Sequence, residues 1–302
     1  MSIQKPIGMT IVRFGLLILA TAVALVAHGA APQPAVGDFS QIVGSRTGKL
    51  TVWRYADNPS IFVFDFPGLA YQGRSFNRIT QFTEQQITEP YPRVLNEQEM
   101  AARLAAARRS ESDFAFGHDV MVHELVQFFN FAQRDKIPLN QEELVIRDFL
   151  TAQGMMREWR GFWQAVQPNN VILSIPQTQE KSAGEPLINS TARYAILLHE
   201  MAHGEYYTNP YYTQYCQRFW AESLSDAQRE AFKTFLGKYN YAIGLDALLI
   251  NETQAYLMFT PDPASFSARK LGVADEELEA MRDAFRKGKP PTKLPLRWNI
   301  GE

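Results

Sequence analysis

The segment from Asn189 to Pro210 constrains this chain more than any other, because both of its ends are marked and its interior carries reactive side chains. Asn189 or Ser190 can cap a helix by offering a side-chain oxygen to the free backbone N–H groups of the first turn. At the far end Pro210 pushes Asn209 out of helical geometry and closes the run. The spacing predicts a helix from about Thr191 to Tyr206. On it lie His199, Glu200, Met201, Ala202 and His203, an H-E-x-x-H pattern. At about 3.6 residues per turn, positions 199 and 203 stack on one face, and Glu200 projects roughly 100° around from His199. Two imidazoles so disposed can share one cation, with a carboxylate beside it to accept a proton from water.

The sequence contains a single cysteine, Cys216, which can form neither an internal disulfide nor a thiolate metal site. It reads as a small buried apolar side chain, and any metal must be held by imidazole and carboxylate. A catalytic zinc ion takes three protein ligands and keeps a fourth position for water. Histidine does not supply the third readily: His28 belongs to the N-terminal segment, and His118 and His123 stand about 140° apart around a helix. His123 reads as solvated. Glu252 is the candidate, 49 residues beyond His203 and flanked by Leu248, Leu249, Ile250 and Leu257. A carboxylate in so apolar a stretch calls for a partner. Glu222, Asp226 and Asp246 are rivals for the role, and Glu205 is expected off the metal face, toward solvent or behind the ligands.

Tyr256, one turn beyond Glu252, and the group Tyr206, Tyr207, Tyr211, Tyr212 and Tyr215 offer phenols that could donate to a developing oxyanion. Tyrosines at helix junctions serve equally well as packing. His118-Asp119 could bring a carboxylate into the cleft, although Asp119 also reads as a plain helix cap.

Composition removes other functions. With 30 basic and 32 acidic residues there is no field of one sign to attract nucleic acid. Residues 1–31 read as an export signal: Lys5 and Arg13, an apolar run from Phe14 to Ala27, then His28-Gly29-Ala30-Ala31. That run is shorter than the ~20 residues that span a bilayer. The expectation is a cleaved leader, a periplasmic or secreted product and no stable membrane insertion afterwards. The remainder keeps 28 basic residues against 32 acidic ones.

Leu50–Tyr55 and Ile61–Phe66 read as a β-hairpin turning through Asp57, Asn58 and Pro59. Asn96 with Glu99 and Asn140 with Glu143 resemble capping boxes, predicting helices over about 97–109 and 141–153. Val120–Phe131 is apolar enough for a buried helix capped by Asp119. Trp159, Phe162 and Trp163 are expected in the core. Val171–Ile175 is strand-like, either internal or the sheet edge on which an extended peptide could align. Further helices are expected over Tyr211–Glu222, Asp226–Leu236 and Leu245–Phe259, and an extended basic tail from Arg286 to Glu302. The fold class is α+β: residues 32–135 form an N-terminal lobe with a β-hairpin, and residues 136–302 a largely helical half that carries the H-E-x-x-H helix and the tail.

From Thr191 to Tyr256 the sequence resembles the gluzincin group of zinc metallopeptidases, in which an H-E-x-x-H helix is completed by a glutamate on a downstream helix. The resemblance implies a zincin-like catalytic half and one zinc ion per chain on His199, His203 and Glu252. It further implies Glu200 as general base and a peptide or protein substrate; Tyr256 stays a candidate catalytic phenol on its place one turn beyond Glu252. Thermolysin-like members carry an aspartate four residues after the ligand glutamate; here that position is Tyr256. The whole chain also resembles uncharacterised exported proteobacterial proteins. A non-catalytic exported module braced by a structural metal is the alternative.

Overall fold

The chain enters its main sheet through a short strand, Ala35–Gly37 (β1), and a capped turn of helix, Phe39–Gly44 (α1). The expected hairpin follows as Thr51–Tyr55 (β2) and Ile61–Phe66 (β3), antiparallel with Thr51 opposite Asp65. Next come Leu69–Thr88 (α2), Glu97–Ala106 (α3) behind the Asn96/Glu99 capping box, His118–Met121 (β4) and Val122–Arg134 (α4). Gln141–Ala152 (α5) begins at the Asn140/Glu143 box, and Met156–Trp159 (β5) pairs with Phe162–Ala165 (β6) in a separate hairpin. Val171–Pro176 (β7) leads to Ser190–Thr208 (α6), Pro210–Arg218 (α7) with a π-type extension over Phe219–Ser223, Asp226–Gly237 (α8), Asp246–Phe259 (α9), Ala268–Leu271 (α10) and Asp275–Gly288 (α11). This computed structural model describes residues 31–88, 91–182, 185–239, 241–292 and 294; the expected leader up to residue 30 and the tail from 295 lie outside them.

The fold is α+β, with a mixed five-stranded sheet in the order β1-β2-β3-β7-β4. It draws β1–β4 from one side of the expected boundary at residue 135 and β7 from the other. Period-two alternation sorts its side chains. Ile61, Val63, Val171, Leu173 and Ile175 pack with α6 and the later helices, while Phe62, Phe64, Phe66, Val120 and Ile172 pack with α2, α4 and α5. Both faces are buried, which is why β3 and β7 read as continuous apolar runs.

Helix α6 is bolted to the sheet at two points. Arg193 in its first turn is fully buried and donates to Asp65 Oδ1 on β3 at 2.7 Å, and to the carbonyls of Ile42, Val43 and Pro176. Immediately after His203, Gly204 lies so close to β3 that a Cβ there would stand 2.8 Å from Ile61 Cδ1. The histidine pair is therefore fixed relative to the strands.

Several expectations change. Asp119 is not a helix cap: His118–Met121 pairs antiparallel with β7, His118 opposite Ser174, and α4 starts only at Val122, with Glu124 accepting from the Met121 N–H at 2.8 Å. A ladder to a strand far along the chain outweighs the local cap. Val171–Pro176 is hydrogen-bonded on both sides, so β4 and not β7 is the edge. Trp159 and Phe162 are cross-strand partners, 50% and 61% exposed, because the β5–β6 hairpin stands outside the main sheet; Trp163 alone leans on the core. Glu205 faces neither solvent nor the ligands but is buried, accepting from Asn209 Nδ2 at 2.7 Å. Arg286 to Gly288 complete α11 before the chain extends. Among the described residues no helix is long and apolar enough to cross a membrane.

Candidate metal centre

Helices α6 and α9 pack side by side and bring together His199, His203 and Glu252. The two Nε2 atoms are 3.0 Å apart, and the Glu252 carboxylate oxygens lie 3.7 Å from each of them. No fourth histidine, cysteine, aspartate or glutamate among the described residues joins this trio. The rivals fall away: Glu222, Asp226 and Asp246 are exposed. His118 is turned to the opposite face of the sheet, where it meets Ser174 Oγ at 2.6 Å and stacks on Phe76, and burial depresses it to about 3. His123 stays at the surface near the Pro168 carbonyl.

The hydrogen bonds behind the imidazoles define which nitrogen is free. Thr260 Oγ1 donates to the Ala255 carbonyl at 3.0 Å and so can only accept from His199 Nδ1, at 2.7 Å. His203 Nδ1 lies 2.9 Å from Asn251 Oδ1, which also accepts from Gln254 Nε2; Gln254 in turn accepts from the Tyr212 hydroxyl at 2.8 Å. In this arrangement each Nδ1 carries a proton, His199 Nε2 presents a lone pair, and a protonated His203 can donate to it from its own Nε2 at 3.0 Å. The contact needs one positive charge between the two Nε2 atoms, a proton on His203 or a metal ion in its place.

The electrostatics agree. Burial drives His199 well below the ordinary imidazole range, with His203 adding to the shift. Burial also acts to depress His203, but Asp119, Glu252 and Glu200 around it overcome that and raise it to about 9. Glu252 is raised to about 7 by burial and by Asp119. Glu200 is pushed well above the carboxylate range by burial, then by Asp119 and Glu252. Glu200 Oε2 and Glu252 Oε2 are buried without a hydrogen-bond partner. Three carboxylates, Asp119, Glu252 and Glu200, crowd His203, and a divalent ion fits the two nitrogens and one oxygen of the trio once that histidine gives up its proton.

Residues that the sequence reading undervalued or missed surround the trio. Asp119 on β4 forms a second group with Glu200 and His203 and accepts from the Tyr207 hydroxyl. Of the five clustered tyrosines, Tyr207 alone reaches the reactive carboxylates. Tyr212 supports the Gln254–Asn251 chain, Tyr215 donates to the Phe285 carbonyl at 2.6 Å, Tyr206 is core, and Tyr211 is 77% exposed. Tyr256 sets its ring edge-on to His199, centroids 4.7 Å apart, and its hydroxyl lies 3.4 Å from that of Tyr241, a phenol that also bonds Glu252. Nothing local distinguishes Tyr241 or Thr260, whereas Asn251 was visible as the polar neighbour of Glu252.

No protein-family model, curated protein or solved structure matches this chain.

Proposed function

We propose that this protein is an exported zinc-dependent hydrolase that cleaves peptide bonds. His199, His203 and Glu252 hold one zinc ion, Glu200 is the general base, and Tyr256 is the candidate catalytic phenol. The observation that carries the reading is the convergence of the two Nε2 atoms, 3.0 Å apart, with Glu252 3.7 Å from both. When bound, zinc acidifies water and polarises a carbonyl. Glu200, adjacent to the trio without belonging to it, takes the proton from the attacking water and returns it to the departing amine. Burial and the neighbouring Asp119 and Glu252 raise its proton affinity, which suits a group that takes a proton from water. Tyr256 and Tyr241 put phenol donors beside the ligands, where charge develops on the substrate oxygen.

A peptide substrate is supported by β4, a sheet-edge strand bordering Glu200, whose unpaired backbone groups can receive an extended chain. A trio without a fourth described protein ligand supports a catalytic ion over a purely structural one. Export rests on the basic, apolar and small-residue succession of residues 1–31.

The direct test is Glu200→Gln. It should keep one zinc per chain and lower kcat by about 10²–10⁴-fold on a quenched fluorescent peptide that the native protein cleaves. Undiminished turnover would remove the mechanism.

A further inference from the structure

Glu200 lies against the backbone of residue 117, which immediately precedes β4. A Cβ built on Gly117 would stand 2.5 Å from the Glu200 carboxyl carbon, 2.7 Å from its Cγ and closer still to Oε1. Real side chains do not approach so closely. The glycine is not required by its own conformation, since its φ is not among the positive values along the chain. What the missing side chain provides is room for Glu200.

The strand cannot give way instead. Gln72 Nε2 on α2 donates to the Phe116 carbonyl at 3.0 Å, and the residue after Gly117, His118, is in ladder register with Ser174 and meets its hydroxyl at 2.6 Å. On the other side α6 is held by Arg193 and by the close approach of Gly204 to Ile61. Between these two backbones Glu200 is held largely out of solvent, the residue being 6% exposed. We infer that Gly117 is a positioning residue, whose lack of a side chain holds the Glu200 carboxylate beside His203 and Asp119 in its reactive orientation.

This inference rests on the hydrolase reading and adds a residue to it. Because the atoms displaced by a methyl group belong to the end of a flexible side chain, Gly117→Ala should fold and move the base instead of unfolding the sheet. The ligands are untouched, so zinc should remain.

The experiment compares native protein, Gly117→Ala, Glu200→Gln and the double variant. The measurements are zinc content, thermal midpoint, kinetics on the quenched fluorescent peptide and calorimetric binding of acetohydroxamate, a zinc-directed acid whose proton the adjacent carboxylate takes. Gly117→Ala should keep its zinc and its midpoint, lose at least about 100-fold in kcat with KM within about twofold, and bind acetohydroxamate about tenfold more weakly. The double variant should be no worse than Glu200→Gln alone, a non-additivity that a general structural defect would not produce. Native turnover in Gly117→Ala beside an inactive Glu200→Gln overturns the positioning role alone. Loss of zinc or of folding in Gly117→Ala also overturns it, because the glycine would then serve the fold. Native turnover in Glu200→Gln overturns the hydrolase reading and this inference with it.

Discussion

The protein buries carboxylates in two opposite ways. On the α2/α5 side of the sheet, Glu143 is completely buried and meets Arg78 through two hydrogen bonds of 2.7 and 2.8 Å. At the foot of α6, Asp65 is completely buried and accepts from Arg193 through one oxygen at 2.7 Å. Burial raises both acids, and the guanidinium pulls each of them back. Midway along α6 and on α9, Glu200 and Glu252 are also buried but face imidazoles and one another, and no arginine acts on either. A protein able to supply arginine to its structural acids has withheld it here. The deficit of positive charge is what a bound cation would complete, and it separates a site from a strut.

Four expected outcomes test this contrast. The largest is in zinc affinity: Glu252→Gln should weaken it on the order of 10³-fold, one ligand's share of a total of roughly 10–16 kcal/mol, by competition with a chromophoric chelator. In zinc-free protein the same substitution should raise the urea midpoint, because it removes a buried charge that has no guanidinium. Arg193→Leu and Arg78→Leu should do the reverse, each costing about 3–5 kcal/mol in urea unfolding by stranding Asp65 or Glu143. A loss of stability in Glu252→Gln equal to theirs would break the distinction between the two kinds of acid.

The last outcome concerns pH. Without metal, Glu252 near 7 and His203 near 9 hold protons that zinc must displace, so affinity should rise with pH up to about 9. Below pH 7, where both are protonated, each unit of acidification should weaken binding by about tenfold per displaced proton. A flat titration between pH 6 and 9 would show that these groups do not release protons to the ion.

The candidate trio was legible because its signals are local. His199 and His203 share a helix face, and Glu252 is conspicuous as a charge in an apolar run. The capped helices α3, α5, α6 and α8 were legible for the same reason. What escaped depends on distant partners. Helix α2 has its first N–H satisfied by Gln179 Oε1 at 2.9 Å, from a loop 110 residues away, so no cap is written beside it. Asp119 precedes an apolar run and imitates a cap, while its strand is determined by β7. Gly117 carries no positive φ and no motif; only the approach of Glu200 gives it meaning. Trp159 and Phe162 have core composition, and tertiary placement turns them outward.

The central claim concerns three ligands around one ion. The X-ray absorption spectrum of purified protein at the zinc edge tests it most directly. The account predicts one zinc per chain, two imidazole nitrogens at ~2.0–2.1 Å, carboxylate oxygen, and an oxygen shell from water. A third imidazole, a closed set of four protein ligands, or protein that takes up no zinc would contradict it.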